Sequence, residues 1–275
     1  MKKNIIIVIV SLFMIFFVAV TWLPISYIII TSLRSDNAFG SRELWISWEN
    51  ISWVSYKRLF SQTDFLLWLR NSFFLSLGSA LVGVLLASTA GYVLARYRFA
   101  AKKTVLISLI STQMFPATMI LLPLFIILAK LKLVDSLVGL FILYASSALP
   151  FCIWQLKSYY ETIPVELEEA ARLDGCNEWQ VFWRITLPLA APGIAVTALF
   201  SFMSAWSEYP LASVILQNPQ LYTAPLGLKS FQASLATEWG LYAAGAILVS
   251  IPAVVVFMFL SRYLISGLSL GGVKS

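Results

Sequence analysis

Residues able to do chemistry are scarce in this chain, and most of its clustered carboxylates fall in one stretch. Between Glu161 and Pro188 stand Glu166, Glu168, Glu169 and Asp174. The sequence contains no histidine, which excludes histidine-ligated metals and Ser-His-Asp catalysis. Cys152 and Cys176 have neither metal-ligand spacing nor the pattern of a disulfide framework, and both suit plain packing. No G-x-x-x-x-G-K-[ST] run occurs, so the chain lacks the loop that cradles nucleotide phosphates. An acidic run without such machinery can still present charge to a partner. Glu208 stands apart, in an apolar stretch beside Ser201, Ser204, Trp206, Ser207 and Tyr209. A carboxylate is costly in lipid, so Glu208 must face a cavity or a partner. An acid beside hydroxyls and aromatic faces suits a sugar. It suits equally a bond between neighbouring helices, or a brace for an outer gate. Asn71 and Gln113 complete the candidates for a path, although buried amides often only join two helices.

The acidic run must be held by something, and its own sequence predicts two short helices. Pro164 suits a first helical position, where its missing N–H is not needed. Glu166, Glu168 and Glu169 then favour the positive end of the helix dipole. Leu167, Ala170, Ala171 and Asp174 share a face by spacing, and Gly175 is placed to end the helix. Asn177 and Gln180 form a capping-box pair that opens a second helix from Glu178 to roughly Ile185, carrying Trp179, Phe182 and Trp183 and ended by Pro188. The interruption at 161–188 thus reads as a helical hairpin, with Trp179 to Trp183 expected to pack it back on the spans. The alternative is an amphipathic helix lying idle at a membrane surface.

The surroundings are membrane. Of 275 residues 60% are hydrophobic and only 12% charged, and the mean hydropathy is +0.85. A water-soluble core cannot hold so much apolar surface, which predicts an all-α polytopic membrane protein. The net charge of +6 shows no concentrated basic tract with interleaved aromatics and reads as topology signal, with no nucleic-acid partner. Six spans are expected, at 4–33, 68–95, 104–129, 136–156, 190–216 and 240–264. Lys2 and Lys3 before the first span could open a signal peptide, but the apolar run is long and lacks a clear small-residue cleavage site. Pro24 is expected to kink or end its outer part. Arg96, Arg98, Lys102 and Lys103 make an acid-free loop that marks the cytoplasmic side. Counting crossings puts the hairpin and both termini on that side, with outer loops at 34–67 and 217–239. Lys2, Lys3 and Arg262 agree, whereas Arg34, Arg42, Lys57 and Arg58 in the first outer loop do not.

With this frame in place, Glu168 to Gly175, then Ile185-Thr-Leu-Pro-Leu-Ala-Ala-Pro192, resembles the EAA loop of ABC-importer permeases. Asn71-Ser72, Gln113 to Pro116, Ser207 to Ser213 and the ending Gly267 to Lys274 extend the resemblance over nearly the whole chain, towards the smaller membrane subunits of carbohydrate-uptake systems of the maltose type. The resemblance implies a type I importer permease fold in the cell inner membrane. It implies as partners a second permease subunit, two copies of a cytoplasmic ATPase and an extracytoplasmic sugar-binding protein, alongside the lipid bilayer. ATP and Mg would be bound by the ATPase subunits, with no cofactor on this chain.

By the same resemblance, Glu168, Glu169, Ala170, Ala171, Asp174 and Gly175 would contact the ATPase. Gly271, Gly272, Val273 and Lys274 would reach between the ATPase subunits, although Ser275 stands where glycine is more familiar. Tyr222, Thr223, Ala224 and Leu226 would form the tip of a loop that touches the binding protein; a plain connecting loop is the other reading. Asn71, Gln113, Ser204, Trp206, Glu208 and Tyr209 remain candidates for the path, although most sugar contacts in that family fall on the larger subunit. Two other classes stay open. A stand-alone secondary transporter or channel would need internal repeats and coupling charges within its spans, and a permease for a non-sugar solute would share the hairpin.

Overall fold

The computed structural model describes residues 2–35, 51–232 and 237–270. Among these, helix accounts for all regular structure apart from an isolated bridge between Arg34 and Ile51, as the apolar composition predicts. In chain order the helices are α1 (Lys2–Ser32), α2 (Val54–Gln62), α3 (Phe65–Arg96), α4 (Lys102–Met114), α5 (Ala117–Lys130), α6 (Leu137–Tyr160), α7 (Val165–Leu173), α8 (Glu178–Val181), α9 (Leu187–Leu189), α10 (Ala191–Trp206), α11 (Pro210–Ile215), α12 (Ala224–Ser230) and α13 (Trp239–Leu270). A π-turn at Phe182–Thr186 joins α8 to α9, and a 3-10 turn at Pro219–Leu221 precedes α12.

Four helices contain a continuous stretch long and apolar enough to cross a membrane: Ile6–Ser32, Phe65–Arg96, Leu137–Tyr160 and Trp239–Ser261. Two broken pairs raise the number to six: Lys102–Met114 with Thr118–Lys130, and Glu178–Leu189 with Ala191–Trp206 bent by 73°. The third and fifth expected spans are therefore not single helices. Pro116 forces Phe115 into an extended conformation (ψ 130°), which parts α4 from α5. Pro210, which has no N–H for a ladder, starts α11 after a break at Ser207–Tyr209. Pro24 does not end its helix, one of the two outcomes expected of it, since α1 continues through it to Ser32. One missing ladder bond costs less than non-helical backbone exposed to hydrocarbon. At the other end of the chain, α13 continues to Leu270, so Ser266–Leu270 are helical. The tail residues Gly271, Gly272, Val273 and Lys274 lie outside the described residues.

The chain divides into two compact units, Met1–Leu66 with Gly227–Ile251, and Leu67–Leu226 with Pro252–Ser275. In the first, the Ser32 and Tyr56 hydroxyls bond at 2.9 Å, and Arg58 pairs with Glu238 at 2.8 Å across two exposed side chains. In the second, apolar side chains form two cores. One gathers Leu75, Leu128, Leu140, Tyr144, Ile215 and Leu226. The other gathers Ala87, Tyr92, Cys152, Leu156, Tyr160 and Phe182. Helix α3 contributes to both, through Leu75 and through Ala87 and Tyr92. Where α10 crosses α6, the ring of Tyr159 occupies the space a Cβ on Gly193 would need, so only glycine permits that approach.

Candidate functional site

The hairpin forms by local rules. Helix α7 carries Glu166 and Glu168 in its first turn and Arg172 in its last, each matched to the dipole end it occupies. Pro164 stands one residue earlier than expected, just before the first helical residue Val165, with ψ 130° and no side-chain cap. Gly175 has φ +90°, and with it Gly175 N donates to Arg172 O and Cys176 N to Ala171 O, closing the helix. The capping box is complete: Asn177 Oδ1 accepts from Gln180 N and Gln180 Oε1 from Asn177 N, both at 2.9 Å. The second helix does not end at Pro188. The proline occupies the first turn of α9, where its missing N–H is not needed, and the bend comes at Ala190.

Neighbouring acids in α7 have opposite fates. Glu168 is fully buried, whereas Glu169 is exposed. The Glu168 carboxylate accepts from Arg96 Nε at 2.8 Å, Thr186 Oγ1 at 3.0 Å and Tyr92 OH at 3.2 Å. Arg172 approaches the other oxygen at 3.7 Å. Arg96 also donates through Nη2 to Ile163 O at 2.9 Å. This one carboxylate therefore joins the end of α3, the start of the hairpin and its returning arm. The Tyr92 ring lies against Phe182 and Tyr160, with centroids 4.9 and 5.8 Å away. A buried charge is tolerable only with such partners.

A second, more exposed layer closes the hairpin. Arg172 donates to both oxygens of Glu178 at 2.7 and 3.1 Å, and Tyr97 OH donates to Glu178 at 2.9 Å. The Arg172 hydrogen bond, then that of Tyr97, holds the Glu178 carboxyl below its usual pKa. The same bond to Glu178 raises Arg172. Desolvation, then the bond to Glu178, pushes the Tyr97 phenol up.

What remains outward is Glu169, Ala170, Asp174 and Gly175, with Leu173 90% exposed at the turn. Ala171 is buried. Of the stretch Trp179 to Trp183 that is expected to pack onto the spans, Phe182 does so, joining Tyr92, Leu156 and Tyr160. Trp179 and Trp183 are 65% and 42% exposed, and Val181 is buried. Reading the sequence alone missed Arg96, Tyr92 and Thr186 as anchors and Leu173 as a contact. Arg96 was visible only as a topology charge, while Tyr92 and Thr186 gave no signal.

The path candidates have different surroundings. Glu208 receives Tyr144 OH at 2.8 Å and the backbone N–H groups of Leu211 at 2.6 Å and Ala212 at 3.1 Å, which caps α11 and ties it to α6. That is a bond between neighbouring helices. Trp206 is buried and stacks on Phe202 at 5.5 Å, Ser204 is exposed, and Tyr209 packs on the core around Leu140. Gln113 is exposed on α4. Asn71 donates to Gln220 O at 3.0 Å and Tyr222 O at 3.1 Å.

Those bonds correct the expected loop tip. Thr223, Ala224 and Leu226 are buried, and Tyr222 is half-buried against Trp68. Ser72 accepts from Ala224 N at 2.7 Å, and Trp68 Nε1 donates to Pro219 O at 2.8 Å. Three side chains of α3 thus draw the segment inward by its backbone. Gln217–Gln220 are exposed, and their start is fixed by Asp135 Oδ1 accepting from Gln217 N and Asn218 N.

The chain is similar to known proteins along most of its length. Residues 82–269 match the family model described as the inner membrane component of binding-protein-dependent transport systems. The maltodextrin transport system permease protein MdxG of Bacillus subtilis is 39% identical over 81% of this chain and 81% of its own. The maltose/maltodextrin transport system permease protein MalG of Escherichia coli K12 is 35% identical over 96% of this chain and 94% of its own. A solved bacterial ABC transporter involved in the import of the acidic polysaccharide alginate shares the fold, with a TM-score of 0.81 at 24% identity over 95% of this chain and 97% of that chain. The chain belongs to the family of inner membrane components of binding-protein-dependent transport systems.

Proposed function

We propose that this chain is the membrane subunit of an ATP-driven importer that moves an oligosaccharide or related sugar inward by alternating access. A second permease subunit completes the core. Two copies of a separate ATPase bind ATP and Mg and hydrolyse it, and an extracytoplasmic sugar-binding protein delivers the cargo. This chain binds no cofactor. The observation that carries the reading is the hairpin itself: an outward rim of Glu169, Ala170, Leu173, Asp174 and Gly175 backed by the buried Arg96–Glu168 pair. Small residues beside an exposed leucine let a helix end enter a groove on a partner, and Glu169 can pair with a base there. Closure of the two ATPase subunits would draw the hairpins of the two permeases together. Because Glu168 fastens α7 to α3, the pull passes directly into a membrane helix.

The sugar assignment rests on relatives whose names specify maltodextrin, maltose/maltodextrin and diacetylchitobiose. A fold neighbour has been solved with an alginate pentasaccharide-bound periplasmic protein, which supports an external binding protein as partner.

The test is purification of the tagged chain from its native membrane, followed by reconstitution of what comes with it. The reading expects a second permease and an ATPase to co-purify, and ATP-dependent uptake of labelled oligosaccharide once the cognate binding protein is added. Uptake by the chain alone, driven by an ion gradient, would overturn it.

A further inference from the structure

Between α4 and α6 runs a groove that the transport reading does not use. Its mouth, a cavity of about 560 Å³, is bordered by Arg98, Lys102 and Lys103, with Phe99 beside them and Leu106, Ile107 and Ile110 below. A second cavity of about 290 Å³ continues it, lined by Leu109, Gln113, Pro150 and Phe151 and sharing Ile110 and Trp154 with the first. From Lys103 to Gln113 the groove follows α4 for about 15 Å at the helical rise. It is cationic at one end and almost wholly apolar for the rest.

The charges lack balance. No acid borders the groove, and among the described residues Arg98 and Lys103 meet no carboxylate. Lys102 reaches only the carbonyl of Tyr97, at 3.3 Å. Helix α4 opens on two lysines with no acid in its first turn and no side-chain cap, which sets positive charge against the positive end of its dipole. An anion at the mouth relieves both. The groove also lies at the same membrane face as the hairpin, because Arg96 and Tyr97, which lead into the basic loop, hold Glu168 and Glu178. Trp154, half-exposed with Lys157 over its ring at 5.4 Å, is placed as an interfacial aromatic would be.

We infer that this groove binds an anionic phospholipid from the leaflet on the hairpin side, its phosphate between Arg98, Lys102 and Lys103 and one acyl chain along Leu106, Ile110 and Phe151. A soluble phosphate would use only the mouth and leave the apolar continuation unexplained. A lipid uses both, and basic pockets between membrane helices are suited to such headgroups.

The probe is phosphatidylglycerol with a photoactivatable acyl chain, incorporated into phosphatidylcholine nanodiscs that hold either the full chain or the transporter purified with its partners. Adducts mapped by mass spectrometry should concentrate on residues 106–113 and 150–154. Lys103→Gln and Arg98→Gln should each lower the yield about fivefold. Ile110→Trp keeps every charge but fills the groove, and should abolish labelling. Lys132→Gln, beyond the far end of α5, should change nothing. Equal labelling by the phosphatidylcholine analogue would overturn the inference. So would displacement by inorganic phosphate, or absence of adducts from the complete transporter because a partner chain covers the groove.

Discussion

Arg96 and Glu168, separated by 72 residues, meet through a 2.8 Å bond between Nε and Oε1 with the carboxylate fully buried. About seven helical turns away on the same face of α3, Asn71 holds the backbone of the 217–239 loop. One helix therefore holds the hairpin at one end and the backbone of Gln220 and Tyr222 about 37 Å away at the other.

Removing one member of the ion pair should be worse than removing both. Arg96→Leu leaves the buried carboxylate with only the more distant Arg172 as counter-charge, at up to about 3–5 kcal/mol, and Glu168→Leu strands the arginine. The double variant should recover part of that loss. Thermal unfolding of the reconstituted transporter measures it, and strict additivity of the two single losses would refute a direct pairing.

Gly175→Val should uncouple ATP hydrolysis from uptake while leaving the chain in the membrane. A Cβ at Gly175 meets nothing within 4 Å, so the whole cost is the positive φ, about 1–2 kcal/mol for a β-branched residue. Gly175→Asn, which tolerates that region, should keep most of the coupling. Parallel uptake and ATPase assays distinguish the two.

Asn71→Leu should release the outer loop. Losing both bonds costs about 1–3 kcal/mol. Hydrogen exchange of the 220–224 amides should quicken, and the binding-protein concentration needed for half-maximal ATPase stimulation should rise. Unchanged exchange would show that Asn71 does not hold the loop.

Glu208→Gln should weaken the α10–α11 junction without altering which sugars are carried. Its carboxylate oxygens already accept three bonds, from Tyr144, Leu211 and Ala212. A changed sugar preference in uptake competition would argue for a place in the path.

Acid should loosen the hairpin. The folded carboxyl of Glu178 lies below its usual value, chiefly through Arg172. Its stabilising contribution is therefore present above about pH 4.3 and lost as pH falls through the folded pKa. The pair is exposed, so the loss is small, under about 1 kcal/mol. Protection factors of the 172–180 amides, corrected for the pH dependence of intrinsic exchange, should fall on acidification in the wild type, and this component should vanish in Glu178→Gln.

Local rules are legible in the sequence because the groups involved are near neighbours. Gly175 turns the chain and Asn177 with Gln180 caps the next helix, since those bonds span only a few residues. Hydropathy is equally local, and it alone determines that the chain is a helical membrane protein with material for six crossings. Whether a crossing is one helix or two is less legible. Pro24 and Pro116 look alike in sequence, yet α1 continues through the first and α4 stops before the second.

Which acid of an adjacent pair turns inward was decided only in three dimensions. Glu168 and Glu169 have the same chemistry, and nothing within α7 distinguishes them. Arg96, Tyr92 and Thr186 do, because a buried charge goes where its counter-charge and hydrogen-bond donors already stand. The same reasoning places Thr223 and Ala224 inside, since Asn71 and Ser72 meet that backbone from about 150 residues away. The sequence determines the parts and their local turns. Tertiary structure decides which polar groups are spent on holding those parts and which stay free for a partner, because that choice depends on groups distant along the chain.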